Sequence, residues 1–248
     1  MQRDTLVSHI GKLLDTARFR DYAPNGLQVE GRNSVQRIVT GVTASLALIE
    51  AAIDLEADAI LVHHGYFWRN EDSRIVGMKQ RRIAQLLRHD INLLAYHLPL
   101  DAHPELGNNA RIGALLGVPV QSWHGEQGII ALGALPNPMC AEALAALVEE
   151  KLERQPLLLP GDGREIRTLA WCSGGAQGYF EEAIALGADA FLTGEVSEPS
   201  FHLARESGCA FFAAGHHATE RYGIQALGEH LAEHFGLTHQ FVNILNPV

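Results

Sequence analysis

"AAIDLEADAILVHHGYF", residues 51–67, runs from a helix-like stretch into an apolar run and stops at two histidines, His63 and His64. Laid without gaps on "EAIALGADAFLTGEVSE", residues 182–198, it matches at seven positions, including Ala57-Asp58-Ala59 against Ala188-Asp189-Ala190. Downstream, "AYHLPLD" (95–101) falls on "AGHHATE" (214–220), which pairs His97 with His216 and Asp101 with Glu220. Upstream, "RIVTGVTASLALIEAAI" and "TLAWCSGGAQGYFEEAI" share the order strand, small-residue turn, helix. Three segments kept in one order mark an internal duplication.

Each half reads as alternating strands and helices. In the first half, strands are expected near 37–41, 59–62 and 92–96, and helices near 45–55, 78–89 and 108–116. In the second, strands are expected near 168–172, 190–193 and 210–213. Apolar strands alternating with amphipathic helices imply mainly parallel sheets covered on both faces. The expected fold is therefore α/β, with two pseudo-symmetric three-layer halves and a metal cleft between them. The halves are placed at 1–125 and 126–248. A connecting strand-helix segment at about 126–163 holds "GIIALGAL", "CAEALAALVEEKLER" and "PLLLPGDG".

In open α/β sheets ligands bind beyond the carboxyl ends of the strands. His63, His64, His97 and Asp101 follow strands of the first half. Glu195, His216, His217 and Glu220 follow strands of the second. Imidazoles mixed with carboxylates suit a borderline divalent ion: zinc, manganese, iron or nickel. The donors exceed the needs of one four-coordinate ion, which points to two ions about 3.5–4 Å apart sharing a carboxylate and a bridging water or hydroxide. Such ions lower the pKa of bound water towards ~7 and make a nucleophile at neutral pH.

Composition narrows the classes. The chain has 248 residues, 47% of them hydrophobic, and a formal net charge of −10. Lys/Arg cluster only in "KQRR" (79–82), so duplex DNA is disfavoured as a partner, because phosphate-backbone binding needs a basic surface. No apolar run approaches the ~20 residues of a membrane span. The N-terminal stretch lacks the apolar centre of a signal peptide, so a cytoplasmic location is expected. Cys140, Cys172 and Cys209 read as reduced core residues.

Other features read as structural. Of thirteen histidines, His9, His202, His230, His234 and His239 are expected to be solvated. His217, His103 and His124 have no matched histidine and read as ordinary hydrogen-bonded groups. Glu195 stands evenly between supporting a ligand and being a plain solvated carboxylate. "SGGAQG" (173–178) lacks a P-loop lysine and the dinucleotide fingerprint, and reads as a tight turn into a helix. "YFW" (66–68) suits packing between subunits or stacking on a planar ring.

The motifs "DYAPNGLQVEG" (21–31), "VTGVTAS", "ADAILVHHGYFW", "YHLPLDAHPELGNNA", "ADAFLTGEVSE" and "AAGHHATERYG" together resemble the NIF-three-like family, the GTP cyclohydrolase type 1, class 2 homologues, and are most similar to its short bacterial members. The resemblance covers nearly the whole chain. It implies a dinuclear metal centre between two similar α/β domains, and a toroidal homohexamer. It implies His63, His64, Asp101, His216 and Glu220 as metal ligands, with Glu220 as the bridge. His97 lies in the same motif and is assigned to proton transfer or to orienting the bridging hydroxide. The implied activity is hydrolytic opening of a purine imidazole ring by a metal-bound hydroxide, on a small-molecule substrate, a nucleotide. Two other readings use the same parts: a two-metal phosphoesterase, and a non-enzymatic metal-binding or regulatory ring protein.

Overall fold

The computed structural model describes residues 1–248. The chain falls into two compact units. One comprises residues 1–100 and 223–245, the other residues 101–222 and 246–248. The division expected at 125/126 is thus displaced to 100/101, and the chain crosses again near residue 222. Strand pairing explains the shift. The strand Val120–His124 pairs with Ile130–Met139 of the second unit, while Thr238–Phe241, late in the chain, pairs with a strand of the first.

The N-terminal unit opens with α1 (Arg3–Leu13) and β1 (Gly26–Val29), followed by β2 (Arg37–Thr43), α2 (Leu46–Asp54), β3 (Ala59–His64), α3 (Gly77–Arg88) and β4 (Asn92–Ala95). The chain leaves through α4 (Leu98–Ala102) and returns along α10 (Arg221–Phe235) into β11 (Thr238–Phe241). The sheet order is β1-β4-β3-β2-β11. Every pairing is parallel except β1 with β4. β3 and β4 are buried almost throughout, as strands covered on both faces must be. Ser45 starts α2 by accepting a hydrogen bond from the Leu48 amide at 3.2 Å, which satisfies a helix-end donor. Val39, Leu48, Ile60, Val62, Ile83, Leu86 and Leu93 form the core of one face.

The C-terminal unit contains α5 (Asn108–Leu116), β5 (Val120–His124), β6 (Ile130–Met139), α6 (Ala141–Leu152), β7 (Leu157–Leu159) and β8 (Ile166–Trp171). It continues with α7 (Phe180–Ala185), β9 (Ala190–Thr193), α8 (Glu198–Ser207), β10 (Ala210–Ala213) and α9 (His216–Thr219). The sheet order is β5-β6-β8-β9-β10-β7. Here only β8, β9 and β10 run parallel, and the three outer pairings are antiparallel. The expectation of mainly parallel sheets thus holds for the first unit, while the second is a parallel core with antiparallel flanks. Successive residues of a strand face opposite sides. Phe191 and Phe211 pack with Phe180 on one side, whereas Trp171, Leu192 and Phe212 enter the core on the other.

The duplication is visible in the backbone: β2-β3-β4 corresponds to β8-β9-β10. The shared Ala-Asp-Ala has a physical role. Asp58 accepts the Gln36 and Arg37 amides at 2.8 and 2.9 Å, and Asp189 accepts the Arg167 and Thr168 amides at 3.0 Å each. Each aspartate therefore ties the start of one strand to the neighbouring one. No helix is long and apolar enough to cross a membrane.

Three local readings need correction. All cysteines are free, but Cys140 is exposed just before α6 rather than in the core. Tyr66 is buried and donates its hydroxyl to the Ala44 carbonyl at 2.7 Å, so "YFW" is not an exposed block. His9, His230 and His234 are not simply solvated. They stack on one another, with ring centroids 4.7–6.1 Å apart, and His239 bonds the Thr40 hydroxyl at 2.8 Å.

Candidate metal centre

In the N-terminal unit, β3 ends in His63 and His64, and β4 runs into His97. The three imidazoles each offer a donor nitrogen within 4.8 Å of the others. His63 Nδ1 lies 3.0 Å from the Tyr96 carbonyl. A carbonyl only accepts, so Nδ1 carries the proton and Nε2 is the nitrogen that could serve a metal. His64 Nδ1 stands 3.4 Å from the Thr43 hydroxyl. His97 Nδ1 is held at 2.7 Å by Asp21 Oδ1. Burial works to raise the Asp21 carboxyl, yet the bond and charge of His97, with Asn25 and the Tyr22 amide, hold it below the usual carboxylate range. Trp68 covers this set edge-on, 5.0 Å from the His97 ring and 5.8 Å from His64.

In the C-terminal unit the donors are richer in carboxylate. Asp101, on α4, is buried, and its Oδ1 accepts from Asn108 Nδ2 and Ser173 Oγ, both at 2.9 Å. His216 begins α9, and Glu220 follows that helix. His216 Nε2 lies 3.2 Å from Glu220 Oε1, and its Nδ1 lies 2.7 Å from Glu195 Oε1. Burial alone would lower the His216 pKa. The bonds and charges of Glu220 and Glu195 outweigh it and push the group up to about 9. Without metal, His216 is thus an imidazolium at neutral pH, a proton standing where a cation is favoured.

The glycine turn after β8 is built around this pair. A Cβ on Gly174, whose φ is +68°, would stand 2.1 Å from Glu220 Oε1 and 3.2 Å from His216 Nε2. The residue there must be glycine for the carboxylate to occupy its position. Buried carboxylates, oriented imidazoles and a space kept clear by glycine fit a divalent-metal donor set. Cys172, close by, is not a candidate nucleophile. Burial first, then the charges of Asp101 and Glu220, hold its thiol well above the usual range.

The sequence-based candidates therefore sort clearly. His63, His64 and His97 come together in one unit, and His216, Glu220 and Asp101 in the other, where a ligand atom of Asp101 lies within 4.8 Å of one of Glu220 and Asn108 and Ser173 anchor the Asp101 carboxylate. Glu195 orients His216. His217 is buried, and its amide bonds the Val248 carbonyl at 3.0 Å. His103 Nδ1 accepts the Glu105 and Leu106 amides, and His124 bonds Ser122. Sequence reasoning missed Asp21, Ser173, Gly174 and Asn108. The glycine pair in "SGGAQG" was the available signal, since a residue that leaves space invites the question of what fills it.

A family model described as Duf34/NIF3 (NGG1p interacting factor 3) matches residues 1–247. A Pseudomonas aeruginosa protein named GTP cyclohydrolase 1 type 2 homolog is 55% identical over 246 residues, covering 98% of this chain and 97% of its own. A Yersinia pestis protein of the same name is 54% identical over 250 residues, covering 100% of both chains. Among solved structures, protein ybgI, described as of unknown function, is similar with a TM-score of 0.97 at 50% identity, covering 100% of both chains. A Thermus thermophilus protein gives a TM-score of 0.91 at 34% identity, again covering 100% of both. Matched along nearly all its length by the family model and by relatives of more than half identity, the chain belongs to the Duf34/NIF3 family.

Proposed function

We propose that the chain is a divalent-metal-dependent hydrolase, with two ions per subunit, that opens a carbon–nitrogen bond in the imidazole ring of a purine nucleotide. The observation that carries this reading is a pair of carboxylate-held imidazoles, His97 on Asp21 and His216 on Glu195, each beside further metal-type donors. The purine substrate comes from the name borne by the relatives.

In this reading His63, His64, Asp101, His216 and Glu220 hold the ions. Glu220 would serve both ions, because a carboxylate offers two oxygens where a neutral imidazole offers one nitrogen. Ions held there supply Lewis acidity and a hydrolytic nucleophile at neutral pH. His97 accepts and returns a proton at Nε2 as the ring opens. Asn108 and Ser173 fix the Asp101 carboxylate, Glu195 fixes the His216 ring, and Trp68 shields the edges of His64 and His97 from water. The subunits are further proposed to close into a homohexamer. Sedimentation of a dilute sample as a 27.1 kDa monomer would remove that part.

The test is turnover with defined metals, zinc or manganese, over nucleotides, cyclic amidines and phosphoesters. Wild type is expected to release formate from GTP, and Asp101→Ala is not. Release that survives the substitution would mark a contaminant. Cleavage of phosphoesters instead would make the centre a phosphoesterase, and no turnover of any substrate would leave a metal-binding ring protein.

A further inference from the structure

Asp21 lies outside the internal repeat, in the segment between α1 and β1, yet it is among the most fully bonded carboxylates of the N-terminal unit. Its side chain is 3% exposed. Oδ1 accepts from His97 Nδ1 at 2.7 Å and from the Tyr22 amide at 2.6 Å. Oδ2 accepts from the Leu98 amide and from Asn25 Nδ2, both at 2.9 Å. Asn25 Oδ1 in turn accepts the His97 amide at 2.8 Å. Arg69 ties the segment from outside, with Nη2 on the Asp21 carbonyl at 3.0 Å.

Three fixed N–H donors, the Tyr22 and Leu98 amides and Asn25 Nδ2, point at this buried carboxylate and favour its ionised form, which only accepts. The proton in the Asp21–His97 bond therefore sits on His97 Nδ1. In the neutral ring, Nε2 is then the atom with the lone pair, and a ring nitrogen of His97 lies within 4.8 Å of one on His63 and one on His64.

We propose that Asp21 is a positioning residue: it selects the Nδ1–H tautomer of His97 and aims Nε2 at the histidine set of β3. The catalytic consequence rests on the hydrolytic reading above, but the tautomer does not. The C-terminal unit reaches the same arrangement from a different place. Glu195, which holds Nδ1 of His216 at 2.7 Å, occupies the repeat position of His64. Two histidines matched by the duplication thus have orienting carboxylates that are not matched. That outcome is expected if holding Nδ1 was required on each side separately and was met by whichever acid was near. Holding the second ring nitrogen is a general way to fix ring orientation and basicity.

A merely structural Asp21 would only cap the start of α4 through the Leu98 amide. The two roles separate by experiment. In metal-free, 15N-labelled protein, at a pH where the ring is neutral, long-range 1H–15N spectra report the tautomer of each histidine directly. Wild-type His97 is expected in the Nδ1–H form. Asp21→Ala, which removes the acceptor, is expected to make Nε2–H the major form. Asn25→Ala loosens the same segment but keeps the carboxylate, and is expected to retain Nδ1–H. Wild-type His97 in the Nε2–H form overturns the proposal without any variant, so a poorly folding Asp21→Ala cannot rescue it. A tautomer unchanged in a folded Asp21→Ala overturns it as well. A tautomer that switches while formate release from GTP persists upholds the positioning role and counts against the hydrolytic role of His97.

Discussion

The two units share a backbone and differ in chemistry at the same strand ends. β3 ends in His63 and His64, whereas the matched end of β9 carries Gly194 and Glu195. Gly194 has a steric reason: a Cβ there would lie 2.6 Å from the His216 Cα and 2.7 Å from the Gly174 carbonyl. The His216 backbone thus leaves no room for a side chain at the counterpart of His63. The N-terminal set is therefore three imidazoles with no carboxylate among them. The C-terminal unit holds the carboxylates of Asp101 and Glu220, with Glu195 behind His216. Duplication kept the strand cores, and divergence split the donors into an uncharged half and a charged half. The charged half should dominate cation affinity, because Coulomb attraction grows as water is excluded.

The strongest way to break this comparison is to neutralise one residue of each half. Glu220→Gln keeps the shape and removes the charge. It should lose at least one of two metal equivalents and all measurable turnover. His97→Ala should keep both equivalents but lose about 10²–10⁴ in rate, the usual worth of a positioned acid–base group. Elemental analysis decides between the halves. A metal-depleted His97→Ala beside a fully loaded Glu220→Gln would reverse the assignment.

The next effect is on pH. His216 is pushed up to about 9 in the metal-free protein, against about 6.5 when unperturbed. The raised value means that its contribution to stability is complete below about pH 6.5 and is lost as pH rises through about 9. The same proton must leave when a metal binds. Zinc binding at pH 7 should therefore release a proton from this group, and apparent affinity should climb with pH until about 9. Calorimetry in buffers of different ionisation enthalpy measures the release. Glu195→Gln, which removes one of the two carboxylates on the ring, should reduce the release at pH 7. Equal release in both proteins would mean that the charged half does not control the site.

Much of this contrast was legible before any coordinates. The gap-free repeat located both strand cores, and β9 and β10 fall at 190–193 and 210–213 as expected. The pairing of His97 with His216 put each just beyond one of two matched strands, β4 and β10. Legibility stopped where contact depends on segments distant in sequence. Nothing local to Asp21 announces that it reaches His97, seventy-six positions away. Nothing in β11 announces a return to β2, because its short pattern fits several edges. The antiparallel flanks of the second sheet are likewise set by which edges are open, not by the strands' own residues.

Gly174 sharpens the comparison at smaller cost. Its φ of +68° and its closeness to Glu220 Oε1 make any side chain unwelcome. Gly174→Ala should destabilise the protein by about 1–3 kcal/mol, the range for forced left-handed backbone. It should also weaken zinc binding, because Glu220 must shift. A melting temperature lowered with zinc affinity intact would mean that Glu220 tolerates displacement, which a bridging ligand should not.

The smallest effects test what the duplication conserved rather than what it changed. Asp58 and Asp189 each accept two backbone amides at the start of a neighbouring strand. Asp189 also accepts the Thr168 hydroxyl at 2.9 Å, and Asp58 pairs with Arg32 at 3.0 Å. Burial works to raise the Asp189 carboxyl, but the Arg167 and Thr168 bonds hold it below its ordinary value. A depressed value contributes stability above the unfolded pKa of about 4 that is lost as pH falls through the folded one. Alanine at either position removes two hydrogen bonds from half-exposed strand-end amides and should cost about 0.5–1.5 kcal/mol, with the Asp189 share disappearing in acid. Both aspartates stand at the opposite strand end from the donors. His63 lies five positions beyond Asp58, about 16 Å along an extended chain. Zinc stoichiometry should therefore be unchanged in both variants. Loss of metal in either one alone would show that a strand transmits displacement along its length, and that the two halves differ in stiffness as well as in charge.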